Sequence, residues 1–311
     1  MLSTDLEKEL FSVIPGLENA GEVTEVNAAD LNQKIFYEQW VNKNNPCVIR
    51  GACKHWPASE KWGKTDFWKS AIKNFDLYVS NHRNFNDSER QNSGREKKSF
   101  HEAIDEIFSQ GTSILSIPAE EIHPNSYYQP LNADIAGFTF LPNPPKPRNY
   151  SEKRFFLYRG ASTAWHYHKA DETLMTQVVG SKKVMLLSSD LPDPERTIDF
   201  LENERQLEGK KLDSYLKFNS YIVEVREGDA LYIPPQWFHA VVPVDMNAGL
   251  TLAYCWGSPW HKLGDLGNYF TRKLYRELIV PVNRYTLLIP FLGSYALTMF
   301  LLYRMGLNRG Y

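Results

Sequence analysis

Apolar residues recur at helical spacing in two places in the first third of the chain. Leu31, Ile35, Phe36 and Trp40 predict a helix over 28–43, and the apolar stretch 46–49 ending at Gly51 predicts a short strand after it. Phe100, Ala103, Ile104 and Ile107 predict a second amphipathic helix over 99–110. Between them, residues 82–98 are rich in Asn, Arg, Ser and Lys and read as a solvated loop. The run Pro142-Asn143-Pro144-Pro145-Lys146-Pro147 is a rigid connector, because proline fixes φ and removes backbone donors.

Beyond the connector the pattern changes to short β-type segments at 155–158, 174–179, 183–187, 221–225, 230–233, 239–243 and 249–256, punctuated by Gly and Pro. That spacing predicts a closed or double-sheet β architecture. A charged insert, 191–217, loops out between strands and carries a helix at 198–208; no internal repeat is visible. Residues 262–279 have the spacing of an amphipathic helix. From Tyr285 to Tyr303 there is no charged residue, and Arg284 and Arg304 bound the stretch. Its length suits a membrane-spanning helix, with a buried or dimerising C-terminal helix as the alternative.

Composition narrows the function classes. The 311 residues fit one large domain, and a formal charge of −2 lacks the basic excess that nucleic acid demands. Three cysteines without metal-type or redox spacing predict a reducing compartment and no disulfide framework. The polar, acidic start lacks the basic and apolar regions of a signal peptide, so the bulk of the chain is expected in the cytoplasm.

The chemistry concentrates in two segments. In the first, Gly160 is followed by Trp165-His166-Tyr167-His168 and then Asp171-Glu172. In an extended strand residues two apart share a face, so His166 and His168 aim two imidazoles the same way. The second runs from Gly228-Asp229 through Pro234-Pro235 to His239, a third imidazole that barrel closure brings opposite the first pair. Imidazole suits iron, zinc, copper and nickel, and a three-nitrogen face leaves coordination positions open. A lone histidine is more often a hydrogen-bonded core residue; three at these spacings favour a metal.

These segments resemble the two cupin motifs: Gly160, His166, His168, Glu172 and Gly180 in the first, and Gly228, Pro234 and His239 in the second, with Gln236 where glycine is usual. The wider surroundings, including 46–52, Trp56-Pro57-Ala58, Trp62 and Gln177-Val178-Val179-Gly180-Ser181-Lys182-Lys183, resemble the cupin-like JmjC oxygenases related to the asparaginyl hydroxylase of hypoxia-inducible factor. The resemblance spans roughly residues 25–280. It implies a mainly β fold, a double-stranded β-helix or jelly-roll with flanking helices, α+β overall. The domain is expected to comprise a mixed lead-in over 25–150, a barrel core over 151–258 and a helix over 262–280. An N-terminal segment (1–24) precedes it, and the apolar helix over 285–303 follows.

The resemblance also implies Fe(II) and 2-oxoglutarate as cofactors. His166 and His239 match two iron ligands, Lys182 the lysine that binds the far carboxylate, Thr163 a hydroxyl contact, and Tyr127 a tyrosine contact. His168 departs from the pattern, standing where the family carries a carboxylate, and Glu172 is the candidate to restore that charge as a fourth ligand. Four protein ligands on an octahedral ion would leave only two positions, so oxygenase activity with a chelating 2-oxoglutarate requires Glu172 to stay off the metal. The expected function is an oxygenase hydroxylating a protein or small molecule. The alternatives are a three-His metalloenzyme that does not use 2-oxoglutarate and a non-catalytic cupin scaffold. Expected partners are the substrate, a membrane through 285–303, and a second copy of the chain, but no nucleic acid.

Overall fold

The computed structural model describes residues 2–83, 94–203, 211–279 and 286–310. Its strands, in chain order, are β1 (Gly21–Glu22), β2 (Glu25–Asn27), β3 (Cys47–Arg50), β4 (Asp76–Ser80), β5 (Arg95–Ser99), β6 (Leu115–Glu121) and β7 (Lys153–Arg159). There follow β8 (Thr163–His166), β9 (Asp171–Val179), β10 (Lys182–Leu187), β11 (Ser220–Val225), β12 (Ala230–Ile233), β13 (Phe238–Pro243) and β14 (Ala248–Gly257). The larger sheet has the order β2-β3-β12-β9-β14-β7-β6-β4-β5 and the smaller β1-β11-β10-β13-β8. Strands β7 to β14 cross repeatedly between these sheets, and each sheet holds four of them as antiparallel neighbours. This is the jelly-roll double-stranded β-helix that the cupin resemblance implies, and it fits the double-sheet architecture that the spacing of β-type segments predicts.

Alternation along each strand divides the side chains into three apolar regions. Met175, Val184, Leu186, Leu231, Ile233 and Val241 point between the sheets. Leu174, Tyr232, Leu252 and Trp256 point out of the large sheet into a core with Phe36, Trp62, Trp68 and Phe100 from the lead-in. Met185, Leu187, Phe238 and Ala240 point out of the small sheet, where Leu10, Phe11, Val13 and Ile14 cover them. The first helix, Leu2–Phe11, is tied down as Trp165 Nε1 donates to the Leu10 carbonyl at 2.7 Å. Two turns use the left-handed backbone that glycine tolerates: Gly180 at φ 75° makes the corner between β9 and β10, and Gly228 at φ 89° precedes β12.

Several local expectations need correction. The helix expected over 28–43 begins at Gln33, where the Asn32 side chain caps it by accepting from Ile35 N at 3.0 Å, and its last turn widens over Tyr37–Val41. Residues 95–98, expected in a loop, belong to β5 and pair with β4; residues 84–93 lie outside the described part. The lead-in contributes five strands, β2 to β6, that widen the larger sheet, more β structure than its helical spacings indicate. The strand expected to carry both His166 and His168 is the short β8, which ends at His166. The insert helix runs Pro194–Asn203, and residues 204–208 of the expected helix lie outside the described part. The helix expected over 262–279 divides into Trp260–Leu263 and Tyr269–Ile279.

The helix Ile289–Arg304 lies against this pair. Ala296 is fully buried, and a Cβ on Gly264 would stand 2.0 Å from its carbonyl oxygen, so the two backbones touch there. Tyr303 stacks on His261 at 4.0 Å, and Asn42 donates to the Arg309 carbonyl at 2.8 Å. The outer face is apolar and open: Phe291 is 73% exposed, and Leu287, Leu288, Leu292, Tyr295, Leu301, Met305 and Leu307 are also exposed. Among the described residues one helix is long and apolar enough to cross a membrane, Thr286–Arg304, with mean hydropathy 1.7.

Candidate metal centre

The three histidines meet at the open edge of the small sheet. His166 ends β8 and stands opposite His239 of β13 in the antiparallel register. Their ring centroids are 4.0 Å apart. His168 lies past the end of β8 rather than in one strand with His166, which corrects the expected strand geometry. A hydrogen bond from Gln236 N to its carbonyl, at 2.7 Å, holds this segment. Gln236 adopts φ 69° where cupins favour glycine, so the chain bends there in the way glycine would allow. His168 closes the triangle with centroids 5.0 Å from His239 and 5.6 Å from His166, and one nitrogen from each ring lies within 4.8 Å of the others.

The surroundings fix which nitrogen faces the centre. Nδ1 of His166 lies 2.9 Å from the Ala164 carbonyl, Nδ1 of His239 3.1 Å from the Trp237 carbonyl, and Nδ1 of His168 2.7 Å from Thr173 Oγ1. With Nδ1 engaged, Nε2 is the nitrogen each ring offers to an ion, the usual arrangement of second-layer oxygens behind ligating histidines. Burial holds the pKa of both His168 and His239 well below the ordinary value, with the neighbouring rings acting in the same direction. Neutral imidazoles are the form that binds metal. The donor set and its geometry therefore fit a borderline metal such as iron(II).

The triad opens into a cavity of about 370 Å³. Thr163, Lys182, Tyr150, Arg154, Thr173 and Thr251 are among the lining polar residues, and Phe156, Met175, Ile233 and Val241 among the apolar ones. Lys182 is 4% exposed, and its ammonium sits 3.9 Å from the centroid of the Tyr158 ring. Burial alone pulls its pKa down to about 7, and no carboxylate pairs with it among the described residues. A buried cation in that condition is a receptor for an anion.

Two expected site residues lie elsewhere. Glu172 is fully buried on the opposite face of β9, where it accepts from Tyr232 Oη and from Lys262 Nζ, both at 2.6 Å. Side-chain alternation sends Thr173 and Met175 inward and Glu172 outward, so Glu172 is not a fourth ligand. Its neighbour Asp171, also buried, accepts backbone N–H bonds from Arg148, Asn149 and Tyr150. Tyr127 is 65% exposed and stacks on Phe75 at 4.2 Å, away from the cavity. The tyrosine that lines the cavity is Tyr150, whose ring meets that of His168 at 5.2 Å. Arg154, Tyr150 and Thr173 were missed in the sequence. For Arg154 the signal was a charged residue two positions before Phe156 on the inward face of a strand.

An eight-stranded double β-helix with imidazoles converging between its sheets defines a metal-binding cupin barrel. The chain belongs to the cupin-like domain family of JmjC type, whose match covers residues 32–259. Among relatives, it is 26% identical over 240 residues to the lysine-specific demethylase JMJ30 of Arabidopsis thaliana, covering 73% of this chain and 53% of that one. It is 21% identical over 229 residues to the Jumonji C domain-containing protein 5 of Drosophila melanogaster, covering 71% and 56%. A segment of 27 residues is 59% identical to the human bifunctional peptidase and (3S)-lysyl hydroxylase JMJD7, covering 9% and 8%. The chain thus spans about half the length of the first two relatives. Family and donor set together fit a metal-binding cupin centre.

Proposed function

We propose that the chain is an Fe(II)- and 2-oxoglutarate-dependent hydroxylase acting on a C–H bond of a protein side chain. The observation that carries this reading is one cavity joining three converging imidazoles to a buried lysine without a carboxylate partner among the described residues. Iron with 2-oxoglutarate would supply the oxygen activation and the electrons the reaction consumes. His166, His168 and His239 hold the ion through Nε2, and Thr173 fixes the His168 ring. Three protein ligands leave three positions of an octahedron, enough for a chelating dicarboxylate and one further ligand. Lys182 receives the far carboxylate, and the Thr163 hydroxyl adds a hydrogen bond. Met175, Ile233 and Val241 keep the reacting region dry. The activities for which JMJ30 and JMJD7 are named support a protein as substrate.

Succinate release by iron-loaded protein tests the reading; no release above a His239→Ala control would sink it. One observation favours a second reading, a three-His metalloenzyme that does not use 2-oxoglutarate: no carboxylate lines the cavity among the described residues. The centre then keeps the full charge of its ion. Metal bound without any effect of 2-oxoglutarate on its affinity would select that alternative.

The helix Thr286–Arg304 attaches the protein to a membrane. The exposed apolar side chains from Leu287 to Leu307 support this, as does the absence of charge before Arg304. Fractionation of the full chain against a version ending before residue 286 tests it. Release of both into the soluble fraction at high salt would refute attachment, and a soluble dimer lost with the helix would assign it to self-association.

A further inference from the structure

The wall of the cavity opposite Lys182 carries a second cation that the proposed chemistry leaves without a task. Arg154 extends inward from β7, with its guanidinium 4.2 Å over the Tyr150 ring. Tyr150 in turn packs on His168, so Arg154 lies at the metal end of the cavity. Its bond among the described residues runs from Nη2 to Cys255 Sγ at 3.7 Å, a weak acceptor, and its buried Nε has no partner. A guanidinium presents five donors in a fixed fork suited to a carboxylate, and here nearly all of them are unspent.

Charge bookkeeping decides which anion this fork serves. Lys182 sits over Tyr158, and Arg154 leaves the same strand four residues earlier. A dicarboxylate with one end on the metal and its far carboxylate on Lys182 has a cation for each end and does not need the Arg154 fork. The second cation is therefore left for the other occupant of the site. A lysine ammonium placed there would face a guanidinium with no carboxylate lining the cavity among the described residues.

We propose that Arg154 anchors a carboxylate of the substrate, so that the fragment presented to the metal is acidic, unlike the lysine for which JMJ30 and JMJD7 are named. The inference rests on the proposed function in taking the cavity as the substrate site. The planar stack on Tyr150 holds the fork in place before a ligand arrives, and Phe156 on the same strand face narrows its surroundings.

The test is saturation-transfer NMR on the zinc-loaded full chain, with N-acetyl-aspartate N-methylamide, N-acetyl-glutamate N-methylamide and N-acetyl-lysine N-methylamide as probes. An acidic probe is expected to receive saturation and the lysine probe none. Arg154→Gln should reduce the acidic signal at least fivefold, and Arg154→Lys should retain most of it. The proposal is overturned by a lysine signal as strong as the acidic ones, by an acidic signal that survives in Arg154→Gln, or by no signal from any probe. Calorimetry with 2-oxoglutarate separates the two readings. An Arg154-dependent acidic signal in a protein that does not bind 2-oxoglutarate sinks the proposed function and leaves the acidic site standing. Binding of 2-oxoglutarate without that signal does the reverse.

Discussion

Replacing Lys182 with Met should make the protein more stable while removing its affinity for a dicarboxylate. Lys182 is buried and its pKa falls to about 7, so below that pH the folded chain carries a charge that burial opposes. The cost of holding it is on the order of 3 to 5 kcal/mol from the size of the pKa change, less the ~1 to 2 kcal/mol that the Tyr158 ring returns. At pH 6 the Lys182→Met protein should therefore be more stable by roughly 2 to 4 kcal/mol. Between pH 7 and the ordinary lysine range the unfolded chain binds a proton that the folded chain does not, so wild-type stability rises with pH. The advantage of the variant should shrink by about 1.4 kcal/mol per pH unit in that window. Urea denaturation of both proteins at pH 6, 8 and 9, without added dicarboxylate, measures the difference. A variant that is less stable, or an advantage that does not change with pH, would show that the protein itself satisfies the ammonium, and the anion-receptor argument would fail. In parallel, calorimetry on metal-loaded protein should show 2-oxoglutarate affinity falling at least a hundredfold in the variant. In the wild type it should weaken above pH 7 as the ammonium loses its proton.

Other substitutions probe separate parts of the structure. His168→Asp should keep metal binding and restore a negative charge beside the ion; metal analysis and succinate release should show equal or higher 2-oxoglutarate turnover, and loss of metal would contradict the geometry. Glu172→Gln leaves Lys262 as an unpaired buried cation, so denaturation should show a loss of about 3 to 5 kcal/mol with metal stoichiometry unchanged. A fall in metal content without destabilisation would return Glu172 to the ligand set. Gly264→Val cannot fit against the Ala296 carbonyl, and hydrogen exchange over 289–304 should accelerate while the barrel amides stay protected.

Much of this site could be read in the chain because the barrel's strands are short, apolar and bounded by turns. His166 ends β8, which follows the turn at Gly160, and His239 lies at the start of β13, after the Pro234-Pro235 bend. Strand alternation does not position His168, which lies past the end of β8; the turn held by Gln236 does. Glu172 was misassigned because the start of β9 decides which face position 172 takes, and a shift of one residue reverses it. Tyr127 was chosen by neighbouring sequence alone, whereas its place depends on Phe75, a contact across the lead-in that no local pattern encodes. Arg154 lies outside the apolar run that begins at 155, because the strand starts two residues earlier, at Lys153. The added strands β4, β5 and β6 are polar at many positions and gain their order from sheet pairing, so their hydrophobic signal was weak.

All three imidazoles, and Lys182 with them, belong to the small sheet and its adjoining turn, while Arg154, Phe156, Met175, Thr251 and Ala253 belong to the large one. On the function proposed above, reactivity falls to one half of the barrel and recognition to the other. Natural drift or a mutational library confined to the second half can redraw what the protein accepts while the ion keeps its seat. Descendants of such a barrel would change clientele more readily than chemistry.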